Sequence, residues 1–307
     1  MHCPSLVQRM RSRAISTLLL SLVITLSVSL QSGRCDESAL AVKTGQKIAF
    51  LGDSITAQGA GSPSGYVNLV INGLQQQGLK LTAIPAGVSG NTSNDMLARL
   101  DRDVISKKPD WMTLSCGVND VWHGVHGVEL ELYKKNITAI VDKAQAAGIK
   151  VIILTATMIQ EVQSNSGNQK LIAYNDFLRS LASERKLLFV DLNADMQAAI
   201  KTEMGKGATP GGLFTIDGVH PNALGHELMA AGILKAFGTS DAKLDQIRTA
   251  WLDMPDAAEV KVKMTARQYL QLREMAETAK RPMEEIAGSA VIKTLSAPSA
   301  PQPVSAR

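Results

Sequence analysis

The chain has 307 residues, 45% hydrophobic and 20% charged, enough for one large domain or two small ones around a sizeable core. With 24 glycines, 11 prolines and 4% aromatic residues, collagen-like, low-complexity and wholly disordered readings are excluded. The net charge of +4 does not mark a nucleic-acid binder, because Arg9, Arg11 and Arg13 stand in residues 1–33 without an acid, and removing that segment leaves +1.

After those arginines comes an uncharged apolar run of 17 residues, 14–30 (AISTLLLSLVITLSVSL), followed by Gln31, Ser32 and Gly33. A positive start, an apolar middle and a small-residue exit read as a secretory signal over residues 1–33. An uncleaved anchor is the second reading, since the run is long for a signal and just short for a spanning helix. Both place the remainder outside the cytoplasm, and the leader is where a membrane tether is expected, if uncleaved. Cys3 goes with the leader, and Cys35 and Cys116 make no disulfide framework. Cys116 closes an apolar strand and reads as a buried thiol.

From Lys47 short apolar runs alternate with longer amphipathic stretches. Strands are predicted at residues 47–51 (KIAFL), 80–85 (KLTAIP), 111–116 (WMTLSC), 150–155 (KVIILT) and 187–192 (LLFVDL). Helices are predicted near residues 66–77, 93–106, 130–147, 169–184 and 222–237. In the third of these Leu132, Ile137, Ile140, Val141 and Ala144 recur at threes and fours, and Gly148 follows where a helix ends. Continuous apolar strands alternating with helices imply a parallel sheet covered on both faces, hence an α/β fold, a three-layer α/β/α sandwich over about residues 44–238. Ligand sites in such sheets lie beyond the carboxyl ends of the strands. Here those ends are Gly52-Asp53-Ser54, residues 86–91, 117–122 and 157–168, and the segment leading to Asp217.

Past Gly238 the character changes. Residues 259–264 (EVKVKM) alternate as a strand does, and Thr265 opens a capping box with Gln268. A helix to about Ala279 follows, with Tyr269, Leu272, Ala276 and Ala279 on one face. Pro282 then suits the first position of a second helix carrying Met283, Ile286, Ala290 and Val291. Residues 259–295 thus read as a small strand-helix-helix appendage, and 296–307 (SAPSAPQPVSAR) as a disordered tail.

The first strand runs into Ser54, and a serine at a strand-to-helix turn can present its Oγ while backbone N–H groups point at the same spot. Taken alone, the turn equally suits a phosphate-cradling loop, because Gly59, Gly61 and Gly65 follow. Gly90, in Ser89-Gly90-Asn91-Thr92, can bring a backbone N–H to a ligand, and Asn119, in Gly117-Val118-Asn119-Asp120, offers a side-chain amide. Asp217-Gly218-Val219-His220 can set a carboxylate against one imidazole nitrogen and leave the other as a base.

These four blocks, in this order over about residues 47–237, resemble the SGNH (GDSL) hydrolase family. The resemblance implies a flavodoxin-like parallel sheet, no metal or organic cofactor, and acyl transfer through an acyl-enzyme with water as second acceptor. It implies Ser54 as nucleophile, His220 as general base and Asp217 as its orienting carboxylate. The Ser54 N–H, the Gly90 N–H and the Asn119 side chain would form the oxyanion hole.

The remaining candidates carry weaker signals. His123 and His126 stand beside Trp122 as an H-x-x-H without further zinc ligands, which leaves a substrate-contacting loop or a plain surface loop. His226 reads as structural, and Asp53 and Asp120 as hydrogen-bonding local backbone rather than titrating in catalysis. The appendage resembles a ribbon-helix-helix unit, with Lys261 and Lys263 outward. An exported protein meets no operator, so no nucleic-acid partner is expected. Its apolar stripes need cover, either from the main domain or from a second copy in a homodimer. The resulting expectation is an exported serine esterase, acting on a small-molecule or glycan ester, with small acyl groups on a carbohydrate foremost. A lysophospholipase or arylesterase is the alternative within the family. A flavodoxin-like phosphate-ligand binding protein is the alternative outside it, and it leaves Asp217-x-x-His220 unexplained.

Overall fold

The computed structural model describes residues 40–254 and 262–296. The predicted leader, Cys35 and the tail from residue 297 lie outside the described residues. In chain order the elements are β1 (Lys47–Gly52), α1 (Ser54–Gly61), α2 (Tyr66–Gln75), β2 (Thr82–Gly87), α3 (Ser93–Asp103), β3 (Trp111–Ser115), α4 (Val118–Trp122), α5 (Leu130–Ala146), β4 (Lys150–Leu154), α6 (Ser166–Glu184), β5 (Leu188–Val190), α7 (Leu192–Gly205), α8 (Ala223–Ala236), α9 (Asp241–Leu252), α10 (Ala266–Ala279) and α11 (Met283–Ser296).

The five strands form one parallel sheet in the order β2-β1-β3-β4-β5. That order is the flavodoxin-like one, with its reversal at β1 and β3, and it leaves a crevice beyond their carboxyl ends. Both strands beside the crevice are mostly apolar because helices cover both faces: Ile48, Ala49, Phe50 and Leu51 of β1 and Met112 and Leu114 of β3 are buried. Helices α2, α8 and α9 pack with one another, α7 lies along α8, and α3, α5 and α6 form the second group.

β2 sits two residues later than predicted. Its partners in β1 fix this: Leu51 pairs with Ala86 and Gly52 with Gly87, while Lys80 is spent on a turn, its carbonyl accepting from the Gly45 N–H. As an edge strand β2 buries only Ile84 and Ala86, so its pattern is a weak guide to its ends. Gly87 is required there, since a Cβ would fall 2.3 Å from the Ala57 nitrogen of α1.

Four helices had no counterpart among the predicted ones: the short α1 and α4, which begin at the ends of β1 and β3, and the longer α7 and α9. α7 buries the narrow stripe Leu192, Met196 and Ile200, and the Asp191 carboxylate caps it by accepting from the Ala194 N–H. α9 extends the packed body past Gly238: Leu244, Ile247 and Trp251 are buried, and the Trp251 indole donates to Asn72 Oδ1 at 2.9 Å.

Of the strand predicted over residues 259–264, residues 259–261 lie outside the described residues, and Val262–Met264 carry no strand ladder. A strand needs a partner edge, and none of β1–β5 supplies one. Both predicted helices are present, and α10 has the Thr265–Gln268 capping box. The pair buries Ala276 and leaves Tyr269, Leu270, Ile292 and Leu295 exposed.

Candidate active site

β1 delivers Ser54 to the crevice. Asp53 turns its carboxylate back to accept from the Ile55 N–H at 2.9 Å, which caps α1 and makes Ser54 its first residue. Gly59 and Gly61 lie inside α1, so the open glycine loop that a phosphate would need does not form. Arg99 of α3, buried, ties this turn to the next strand end. Its Nη2 donates to the Gly52 carbonyl at 2.8 Å and its Nε to Asn91 Oδ1 at 2.6 Å.

The other half of the site comes from an irregular segment before α8. Asp217 Oδ1 accepts from the Val219 and His220 N–H groups at 3.0 and 2.8 Å, closing a tight turn. That turn aims the imidazole: His220 Nδ1 lies 2.7 Å from Asp217 Oδ2, and His220 Nε2 lies 2.8 Å from Ser54 Oγ. Burial pushes the Asp217 carboxyl up, but the His220 N–H, the His220 ring and the Val219 N–H outweigh it and hold Asp217 below the usual carboxylate range. With Asp217 ionised, Nδ1 carries the ring proton and Nε2 is free to accept from the Ser54 hydroxyl.

Three donors sit at neighbouring strand ends. Gly90 is exposed with φ 80°, a backbone that a side chain rarely adopts. Among the described residues neither the Ser54 N–H nor the Gly90 N–H has a partner within the protein. Asn119 is buried at the start of α4, and its Nδ2 donates to the Asn91 carbonyl at 3.0 Å, leaving one amide N–H for a ligand.

Trp122 is half-exposed and meets the His220 ring edge-on, with centroids 6.4 Å apart. His123 lies tilted beside Trp122, with centroids 6.4 Å apart. No hydrogen bond or ring contact joins His126 to Ser54 or His220 among the described residues. Nor do three or more His, Cys, Asp or Glu side chains converge there as a metal ion would require. His226 is buried and stacks on Tyr66, 6.2 Å between centroids. Burial, with the nearby His220, brings its pKa down to about 4. Cys116 is a buried free thiol.

Two carboxylates lie under the site. Burial pushes Asp53 up to about 6, against the pull of the Ile55 N–H and His220 and with a push from Asp120. Asp120 bonds its own backbone and also reaches beyond it. It accepts from the Ser93 N–H at the start of α3, 27 residues away, and burial raises its pKa.

Sequence reasoning missed Arg99 and also Glu161, a buried carboxylate behind the His220 segment. Neither belongs to a short motif. Arg99 stands on a helix that reads as ordinary, and Glu161 in a stretch marked only as a strand-end loop.

The sequence model of the GDSL-like Lipase/Acylhydrolase family matches residues 50–228, more than half of the chain. An acetylxylan esterase of Geobacillus stearothermophilus is 30% identical over 216 residues, which cover 64% of this chain and 96% of that one. The crystal structure of the acetylxylan esterase Axe2 from the same organism superposes with a TM-score of 0.59 at 28% identity, over 66% of this chain and 98% of the other. Its catalytic mutants replace a serine, an aspartate and a histidine with alanine, one residue in each. Esterase TesA of Pseudomonas aeruginosa is 27% identical over 177 residues, 57% of this chain and 80% of the relative. A serine and a base at hydrogen-bond distance, on this strand order and within this match, leave one assignment: the chain belongs to the GDSL (SGNH) lipase/acylhydrolase family and is a serine ester hydrolase.

Proposed function

We propose that the protein removes small acyl groups, acetyl foremost, from a carbohydrate outside the cytoplasm. The observation that carries the chemistry is the relay Asp217–His220–Ser54, with contacts of 2.7 and 2.8 Å. Ser54 Oγ attacks the ester carbonyl as its proton passes to His220 Nε2, and Asp217 stabilises the imidazolium that forms. The Ser54 and Gly90 N–H groups and Asn119 Nδ2 receive the negative charge on the carbonyl oxygen. Collapse of that intermediate breaks the ester C–O bond, and His220 protonates the leaving alkoxide. Water then gives its proton to His220 and attacks the acyl-Ser54 carbonyl; the bond from the acyl carbon to Oγ breaks, His220 returns the proton to Oγ, and the acid leaves.

The substrate class rests on two supports. The acetylxylan esterase relatives match about two thirds of the chain at near 30% identity. The half-exposed Trp122 ring beside His220 offers an aromatic face of the kind that sugar rings pack against, and we assign it, with His123, to the alcohol side. His126 belongs to the rim of the same loop. Export rests on the leader over residues 1–33. No helix among the described residues is long and apolar enough to cross a membrane.

Paired assays test the substrate. Initial rates on 4-nitrophenyl acetate and octanoate, and on acetylated xylo-oligosaccharide against a lysophospholipid, should give the higher kcat/KM for acetyl and for the sugar. Faster octanoyl and lysophospholipid cleavage would assign the chain to the lipid-cleaving branch instead.

A further inference from the structure

The segment that presents Asp217 and His220 has almost no regular structure of its own: residues 211–221 hold one isolated bridge, Thr215 to Pro221. Backbone N–H groups in such a segment need acceptors. Most of those before Asp217 find them on a single side chain. Glu161 Oε2 accepts from the Gly211 and Leu213 N–H groups at 2.6 and 3.1 Å. Its Oε1 accepts from the Phe214 and Thr215 N–H groups at 2.8 and 2.9 Å and from Thr215 Oγ1 at 2.8 Å. Five donors therefore converge on one buried carboxylate.

The same strand-end turn grips the segment a second time. Gln160, the residue before Glu161, adopts φ 67° and donates its N–H to the Gly218 carbonyl at 2.7 Å, between Asp217 and His220. Burial pushes the Glu161 carboxyl up, but the Phe214, Gly211 and Leu213 N–H groups and the Thr215 hydroxyl outweigh it and hold it below its ordinary range. The side chain is thus an anion at neutral pH, and charge-assisted bonds of this kind are the strong ones.

We propose that Glu161 is a positioning residue for the reaction: its carboxylate fixes the backbone of residues 211–215 and, through it, the aim of the His220 imidazole at Ser54 Oγ. Glu161 touches no reacting atom in this account. The inference rests on the roles given above to Asp217 and His220. Glutamine has the same shape but only one acceptor oxygen, so Glu161→Gln turns an NH₂ group toward two or three N–H and O–H donors. The segment must shift, and displacing a general base by a fraction of an ångström is costly to turnover.

The test uses the full chain, 4-nitrophenyl acetate and thermal denaturation. Glu161→Gln should lower kcat by about 10–100-fold with KM within about twofold, as misaimed chemistry does. Thr215→Val, which deletes one donor, should lose less, and Thr215→Ser, which keeps the hydroxyl, should recover. Ile247→Ala, in α9 and remote from the site, serves as a stability control, and assayed below its transition it should keep its kcat. Wild-type kcat in Glu161→Gln would overturn the proposal, as would equal kcat in Thr215→Val and Thr215→Ser. A loss in Ile247→Ala matching that of Glu161→Gln at a similar fall in Tm would do so too. If Glu161→Gln does not fold, the Thr215 pair decides. His220→Ala, measured alongside, separates the two levels: wild-type turnover there defeats the site assignment itself, whereas its loss with a fully active Glu161→Gln defeats only the positioning role.

Discussion

The two halves of the site are secured by opposite means. Ser54 stands where β1 becomes α1, on a turn braced by regular elements: the Asp53 cap of α1, the Gly87 backbone of β2 against α1, and the buried Arg99 of α3 on the Gly52 carbonyl. His220 stands on an irregular segment whose shape depends on the distant Glu161. Their two buried carboxylates differ accordingly. Asp53 receives the Ile55 N–H and is pushed up to about 6 by burial. Glu161 receives five donors and is held low. A nucleophile thus comes with the sheet, whereas its base has to be tied into place.

Breaking the chemistry on the sheet side should have the largest effect. Ser54→Ala removes the attacking atom, so kcat should fall on the order of 10⁶-fold with the denaturation midpoint little changed. Turnover near wild type would refute the nucleophile assignment. Asn119→Ala should cost about 10²–10³ in kcat, the toll of one oxyanion donor, with KM affected much less. A raised KM at constant kcat would make Asn119 a ground-state contact.

The contrast between the two carboxylates sharpens into a pH experiment on stability. Asp53 has its folded pKa raised from 3.8 to about 6, so its contribution is fully present below pH 3.8 and lost as pH rises through about 6. Asp53→Asn keeps an acceptor for the Ile55 N–H without the charge. Its stability relative to wild type should therefore be better at pH 7 than at pH 3.5, by about 3 kcal/mol. Glu161 has the opposite slope, since a depressed carboxyl stabilises above its ordinary value and loses that contribution as pH falls. His226, lowered from 6.5 to about 4, adds an acid loss of its own as pH falls from 6.5 through about 4. Denaturant titrations of wild type and Asp53→Asn at the two pH values give the difference directly, and a pH-independent difference would contradict the burial argument.

The same contrast explains what was legible in the sequence. Buried parallel strands must be mostly apolar, so KIAFL, WMTLSC and KVIILT announce themselves, and the polar residues that follow them mark the crevice. Ser54, Asn119, Asp217 and His220 stand in short local motifs because each sits on a tight turn or a helix start built from its neighbours in the sequence. The half-buried edge strand β2 is less constrained, and its ends slipped by two residues. α7 shows one narrow apolar stripe, and the α9 residues Leu244, Ile247 and Trp251 become meaningful only against α2 and α8. Arg99 and Glu161 were illegible for a further reason. The bonds that tie them to the site go to backbone groups far along the chain, the Gly52 carbonyl for Arg99 and the N–H groups of residues 211–215 for Glu161, and a backbone carbonyl or N–H leaves no mark in the sequence of the residue that carries it.

Labelling with a fluorophosphonate followed by peptide mapping tests the central claim most directly, because only an activated serine is phosphonylated. The expected result is one equivalent of label on Ser54, abolished in Ser54→Ala and slowed sharply in His220→Ala. Label on a different residue, or undiminished labelling of Ser54→Ala, would contradict the account.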